Sequence, residues 1–165
     1  MDSFYRSLVY SYMAKYLPKA EAEVVEKTFG AEMDLNDIMF IIRAKSYYNL
    51  TPEMIYPHIG VKNSFLKKEE IAAMVDAADE NALMQAVRST RYGMLFIDTS
   101  ENPESKIEKY TLKIHRKMLR KNPYSIEAIL YYIKEKEIEI KNIIMITEGI
   151  RYGLTPEKIK SYLIL

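Results

Sequence analysis

Asn49-Leu50-Thr51-Pro52-Glu53-Met54-Ile55 and Gly153-Leu154-Thr155-Pro156-Glu157-Lys158-Ile159 are two versions of one short message. In each, Thr suits a helix cap, Pro suits the first turn, and Glu sits at the positive end of the helix dipole. Thr-Pro-Glu is a common helix start, so two copies could arise independently; the flanking residues argue for a repeat. Asn36 precedes Ile38, Ile41 and Ile42, and Asn142 precedes Ile143, Ile144 and Ile146. Asn36 and Asn142 lie 106 positions apart, as do Lys45 and Arg151, whereas the Leu-Thr-Pro-Glu pair lies 104 apart. The first copy thus carries two extra residues near Tyr47-Tyr48. At the offset of 106, Phe4 matches Tyr110, Leu8 matches Ile114, Tyr12 matches Met118 and Met13 matches Leu119.

Working outward, the chain reads as A–B–A′, with A at about 1–59, B at about 60–106 and A′ at about 107–165. Residues 1–106 form a first helical repeat and 107–165 a second, partial one, so the chain holds about one and a half copies of a unit of about 106 residues. The fold class expected is all-α. Helical patterns cover 3–16, 20–29 (ended by Gly30), 34–48, 67–76, 79–88 and 104–121, then a long helix from Ser125 to about Arg151 and a last one after Thr155-Pro156. Asp79 and Ser125 are the expected caps. Gly93 to Asp98 is ambiguous, with a buried helical turn preferred over a strand.

Composition agrees. Glycine (5) and proline (6) are scarce among 165 residues, while helix-favouring residues abound. A chain this long typically buries roughly 70% of its unfolded surface, so a core is available without staples. The chain has no cysteine, which excludes disulfides and thiolate metal sites. The net charge of +1 argues against a surface built throughout for nucleic acid. Met1-Asp2-Ser3-Phe4-Tyr5 does not read as a signal peptide, and no apolar run approaches the ~20 residues of a membrane span. A soluble chain is expected.

Enzyme chemistry is hard to find. Single scattered glycines cannot build a phosphate loop, and no His-Glu-x-x-His pattern or acidic ligand loop appears. No catalytic residue, cofactor or metal is expected. His58 reads as a turn residue after Pro57, and His115, among Lys113, Arg116 and Lys117, as a solvated side chain. Three features remain. Lys106 to Lys121 carries seven cations against Glu108 alone, with Ile107, Tyr110, Ile114 and Met118 as an apolar stripe. Either this is a packed helix with a solvated face, or Lys109, Lys113, Arg116, Lys117 and Arg120 contact an acidic partner, an anionic lipid surface or a nucleic acid, the last being the weakest. In the long helix, Ile126, Ile129, Leu130, Ile133, Ile140 and Ile144 make a stripe on which Glu137 falls, so Glu137 should be paired or at the core edge. Finally, Asn36, Arg43 and Asn142 interrupt apolar helical runs and read as fold-specifying polar contacts to another helix end or loop.

The stretch from Asn122 to Leu154 resembles the C-terminal signature of one family, the central-stalk C subunits of archaeal and bacterial A/V-type rotary ATPases, whose eukaryotic counterpart is the d subunit of vacuolar ATPases. The residues that carry the likeness are Tyr131 or Tyr132, Lys136-Glu137, Glu139, Asn142, Gly153-Leu154 and Glu157. Upstream, Asp34 to Lys45 is similar to that family's Asp-x-x-Asn and Arg-x-Lys segment. The resemblance implies three helical repeats and about twice this length, so the chain is expected to correspond to the C-terminal half. It also implies a non-catalytic coupler that joins the soluble stalk to the membrane rotor ring during proton or sodium transport. Such a coupler is peripheral to the cytoplasmic face of the membrane, and its partners are the proteins of the stalk and the rotor ring. The alternative is an independent helical-repeat adaptor using the basic 106–121 helix.

Overall fold

A computed structural model describes residues 8, 11–13, 15–60, 64–97 and 102–164. The chain divides into two compact units, Met1–Asp98 and Thr99–Leu165. Among the described residues the regular structure is helical and no strand occurs.

The core of the first unit is organised on α1, Lys19–Ser46. Two helices separated at Gly30 were expected, yet one helix runs straight through it. A glycine inside a helix costs only about 1 kcal/mol relative to alanine, and burial outweighs that here. Val24, Val25, Ala31, Leu35, Ile38 and Ile41 are all buried, at about 1.5–3 kcal/mol for each fully buried large side chain. Glu21 in the first turn and Arg43 and Lys45 in the last turn match the helix dipole.

After α1 the chain turns at Asn49, which adopts a positive φ of 49°. It then enters α2, Pro52–Ile55, and a 3-10 turn at Tyr56–His58. The core side of α1 is covered by α3, Lys68–Val75, and α4, Glu80–Ser89. These bring in Ile71, Met74, Val75, Leu83 and Val87. Asp79 caps α4 as expected, its Oδ1 accepting from the Ala82 amide at 2.7 Å. The ambiguous segment is a 3-10 turn, Gly93–Phe96. Only glycine fits at its start, because a Cβ on Gly93 would fall 2.0 Å from the Arg88 carbonyl oxygen.

The second unit is an antiparallel helical hairpin with a short closing helix. Its elements are α5, Pro103–Lys121, α6, Glu127–Arg151, and α7, Pro156–Tyr162. Asn102 caps α5 by accepting from the Glu104 amide at 3.0 Å, with Pro103 in the first turn. Ser125, expected to cap α6, lies one residue ahead of its N-cap Ile126 and instead orders the hairpin bend, donating to the Asn122 carbonyl at 2.7 Å and accepting from the Glu127 amide at 3.3 Å.

Packing of α6 differs from the sequence expectation. Its isoleucine stripe was read as a core face, but Ile129, Ile133, Ile140 and Ile144 are exposed, and Glu137 beside them is exposed too. The buried side of α6 instead carries Glu127, Lys134, Ile138 and Gly149. Helical periodicity identifies which residues share a face; which face is covered depends on what packs there, and α5 has taken the polar side.

Candidate functional site

The charged residues of the second unit sort by helical geometry. On α5, Thr111, His115 and Met118 recur at steps of four and three and are buried. Lys113, Arg116, Lys117 and Arg120 point the other way and are exposed, while Lys106 and Lys109 are half-buried on the same basic side. The amphipathic arrangement thus turns an almost uninterrupted row of cations outward.

The inner side is polar as well. His115 was expected in solvent, but it is buried, and its Nδ1 lies 2.6 Å from Oε1 of Glu127, itself fully buried at the start of α6. His115 sits on the inward side of α5, so its basic sequence neighbours say nothing about its exposure. Nearer the α5 start, Glu108 receives Lys134 Nζ on Oε2 at 3.2 Å and Lys141 Nζ on Oε1. Burial pushes the Glu108 carboxyl up, but the Lys141 hydrogen bond and the Lys134 and Lys141 charges outweigh it. The net effect holds Glu108 below the ordinary glutamate value. At the outer edge Arg116 Nε donates to Tyr131 Oη at 3.2 Å, and Tyr131 in turn donates to Glu135. These contacts run in opposite order along the two helices and set the register of the hairpin.

The polar residues singled out from the sequence have separate fates. Asn142 reaches across to the C-terminal tail: its Nδ2 donates to the Ile164 carbonyl and its Oδ1 accepts the Ile164 amide, both at 2.9 Å. Asn36 donates to the Glu32 carbonyl of its own helix at 2.7 Å. Arg43 is exposed near the end of α1, and Glu137 pairs with Lys134 at 3.4 Å.

Two acids to which the sequence analysis assigned no contact, Asp34 and Asp37, tie α1 to other elements. Asp34, fully buried, accepts from Ser64 Oγ at 2.5 Å, Phe65 N at 3.1 Å and Tyr92 Oη at 2.7 Å. Burial raises its pKa, and these donors offset only part of the rise. Asp37 accepts the Gly60 amide at 3.1 Å. Two acids three apart, flanking Asn36 at the head of the apolar run Ile38 to Ile42, were the available signal. Lys45 Nζ adds a bond to the Val75 carbonyl at 2.5 Å.

Chemically these groups are suited to holding helices together and to presenting positive charge. Among the described residues, no three His, Cys, Asp or Glu stand close enough to hold a metal ion. No helix there is long and apolar enough to cross a membrane.

Comparison with known proteins adds a family. Residues 1–162 match the family described as ATP synthase (C/AC39) subunit. The chain is 25% identical over 160 residues to the A-type ATP synthase C subunit of Methanosphaera stadtmanae, a match covering 88% of this chain and 41% of that protein. To the corresponding protein of Pyrococcus abyssi it is 27% identical over 164 residues, 92% of this chain and 43% of the relative. To that of Thermococcus gammatolerans it is 29% identical over 161 residues, again 92% and 43%. The chain therefore spans less than half the length of these relatives.

Proposed function

The chain belongs to the ATP synthase (C/AC39) subunit family, and from that we propose that it serves as a non-catalytic coupling part of a V/A-type rotary ATPase. In this role it links the soluble central stalk to the membrane rotor ring, peripheral to the cytoplasmic face, while ATP turnover drives or follows proton or sodium movement. The observation that carries the proposal is the family match over nearly the whole chain. The helical hairpin supports it physically. A coupler must transmit torque without yielding, and the α5–α6 pair is cross-linked by polar contacts at two levels, the buried His115–Glu127 pair and the half-buried Glu108 with buried Lys134 and exposed Lys141. Such networks cost desolvation but fix one register where a purely apolar seam could slide.

Co-purification tests the reading. The tagged chain, expressed alongside the central-stalk and rotor-ring proteins of its own source, is expected to retain at least one of them through a wash at moderate salt. Retention of neither, with RNA or an unrelated acidic protein recovered instead, would replace the coupler with the adaptor that uses the basic face of α5.

A further inference from the structure

The two long helices α1 and α6 end in the same way. In α1, the Leu50 amide donates to the Ala44 carbonyl at 2.9 Å, across a turn whose Asn49 has positive φ. In α6, the Leu154 amide donates to the Gly149 carbonyl at 2.9 Å, across a turn whose Gly153 has a φ of 67°. Each turn leads into Thr-Pro-Glu and a buried isoleucine, Ile55 or Ile159. Each chain then folds back so that a backbone amide, Gly60 or Ile164, donates to a side chain of the long helix, Asp37 or Asn142. These bonds pair Ala44 with Gly149 and Asp37 with Asn142, an offset of 105 along the helices rather than the 106 read from the asparagines.

In that register the fate of one face differs sharply. Val24, Thr28, Leu35 and Ile38 of α1 are 4%, 1%, 0% and 0% exposed, whereas their counterparts Ile129, Ile133, Ile140 and Ile143 of α6 are 62%, 49%, 58% and 55% exposed. The α6 residues continue through Thr147 to Ile150 at alternating steps of four and three, with Lys136 as the other polar member. That is the spacing of a seam made to receive other helices. Both faces are mainly apolar, although α6 places Lys136 where α1 has Ala31. The α1 face is closed within the folded chain, and α1 packs against the amphipathic pair α3 and α4 in its own unit, whereas the α6 face is open.

We propose that the exposed isoleucine seam of α6 is a docking surface for an amphipathic helical hairpin of the α3–α4 kind, supplied by a polypeptide segment outside this chain. The relatives leave room for such a segment, since more than half of their length lies outside the match. The hairpin presents aliphatic residues to the seam, as Ile71, Met74, Leu83 and Val87 do in the first unit, and keeps its charges outward. The proposal is independent of the rotary reading, since it concerns helix packing alone.

Because the chain contains no cysteine, single cysteines report on this surface cleanly. Ile140→Cys and Ile143→Cys are labelled in the full chain with a thiol reagent, and Tyr124→Cys, fully exposed, is the control. The probe is a synthetic peptide of residues 64–97, which contains the hairpin that packs against α1. The seam cysteines are expected to react as fast as the control in the isolated chain, and about tenfold more slowly at saturating peptide. Ile133→Glu should abolish that protection. Lys136→Ala, which installs the residue that α1 has at this position, should strengthen peptide binding about threefold. Slow labelling in the isolated monomer would mean that the chain covers its own seam. Slow labelling that grows with protein concentration would mean that a second copy does. Either result, or full reactivity at saturating peptide, overturns the proposal.

Discussion

Glu127 and His115 show how little local sequence says about a single side chain. His115 lies among cations and Glu127 at the head of an apolar run, yet together they form a buried pair with Nδ1 and Oε1 2.6 Å apart. Removing one partner strands the other in a site closed to water. Glu127→Ala is therefore expected to destabilise the chain by about 1–3 kcal/mol, and His115→Ala by a similar amount. The double variant should cost clearly less than the sum, because neither polar group is then left behind. Urea titrations of the four proteins check this, and strict additivity would mean that the two groups do not act as a pair. Asn142 was legible because an asparagine inside an isoleucine run demands a reason. Its contact with the backbone of Ile164 was not, since a tail 22 residues downstream leaves no periodic mark. Asp34 and Asp37 were obscured by their neighbour Asn36, which has the same polarity but bonds only within its own helix among its described contacts.

At the scale of elements, pairing within the α5–α6 hairpin makes stability depend on pH in a definite direction. The Glu108 carboxyl is held below its ordinary value of 4.5, so the folded state favours its ionised form more than the unfolded chain does. That contribution is complete above the ordinary value and is lost as pH falls through the depressed one. Asp34 works in the opposite sense, since its value is raised: what it contributes is present at low pH and is lost as pH rises through that raised value. Thermal melts between pH 6 and pH 3 should thus show a steeper acid loss for the parent chain than for Glu108→Gln, and equal slopes would contradict the assignment. The joint between α6 and α7 makes a second demand. A Cβ on Gly149 would lie 2.6 Å from Cγ1 of Ile159. Alanine at 149 gains about 1 kcal/mol of helix propensity, but displacing Ile159 costs about 1–3 kcal/mol. Gly149→Ala should therefore lower the melting temperature, and Ile159→Ala in the same chain should make alanine at 149 favourable. The element limits were largely readable from caps and prolines. The start of α6 at Glu127 rather than after a Ser125 cap was one exception; the continuity of α1 through Gly30 was another, decided by long-range burial that a local helix-stop signal does not register.

For the whole molecule, the all-α class was legible because patterning, composition and the twice-used helix start agreed. The covered face of α6 was not, because an apolar stripe looks the same with or without a neighbour. The same limit applies to the basic side of α5, where charge indicates the sign of a partner and nothing more. Lys113, Lys117 and Arg120 are exposed on that side. Exposed charges contribute about 1 kcal/mol or less each to stability, so reversing all three to glutamate should leave the melting temperature within a few degrees of the parent. If this face meets an acidic surface of the stalk or rotor ring, the same triple variant should lose retention by those proteins. The parent's retention should also weaken steeply as salt is raised from low to physiological strength, where exposed charges are screened beyond about 8 Å. Undiminished assembly of the triple variant would move the contact to another surface. A large drop in melting temperature would instead show these cations to be structural. The pair of measurements separates a surface kept for a partner from one kept for the fold.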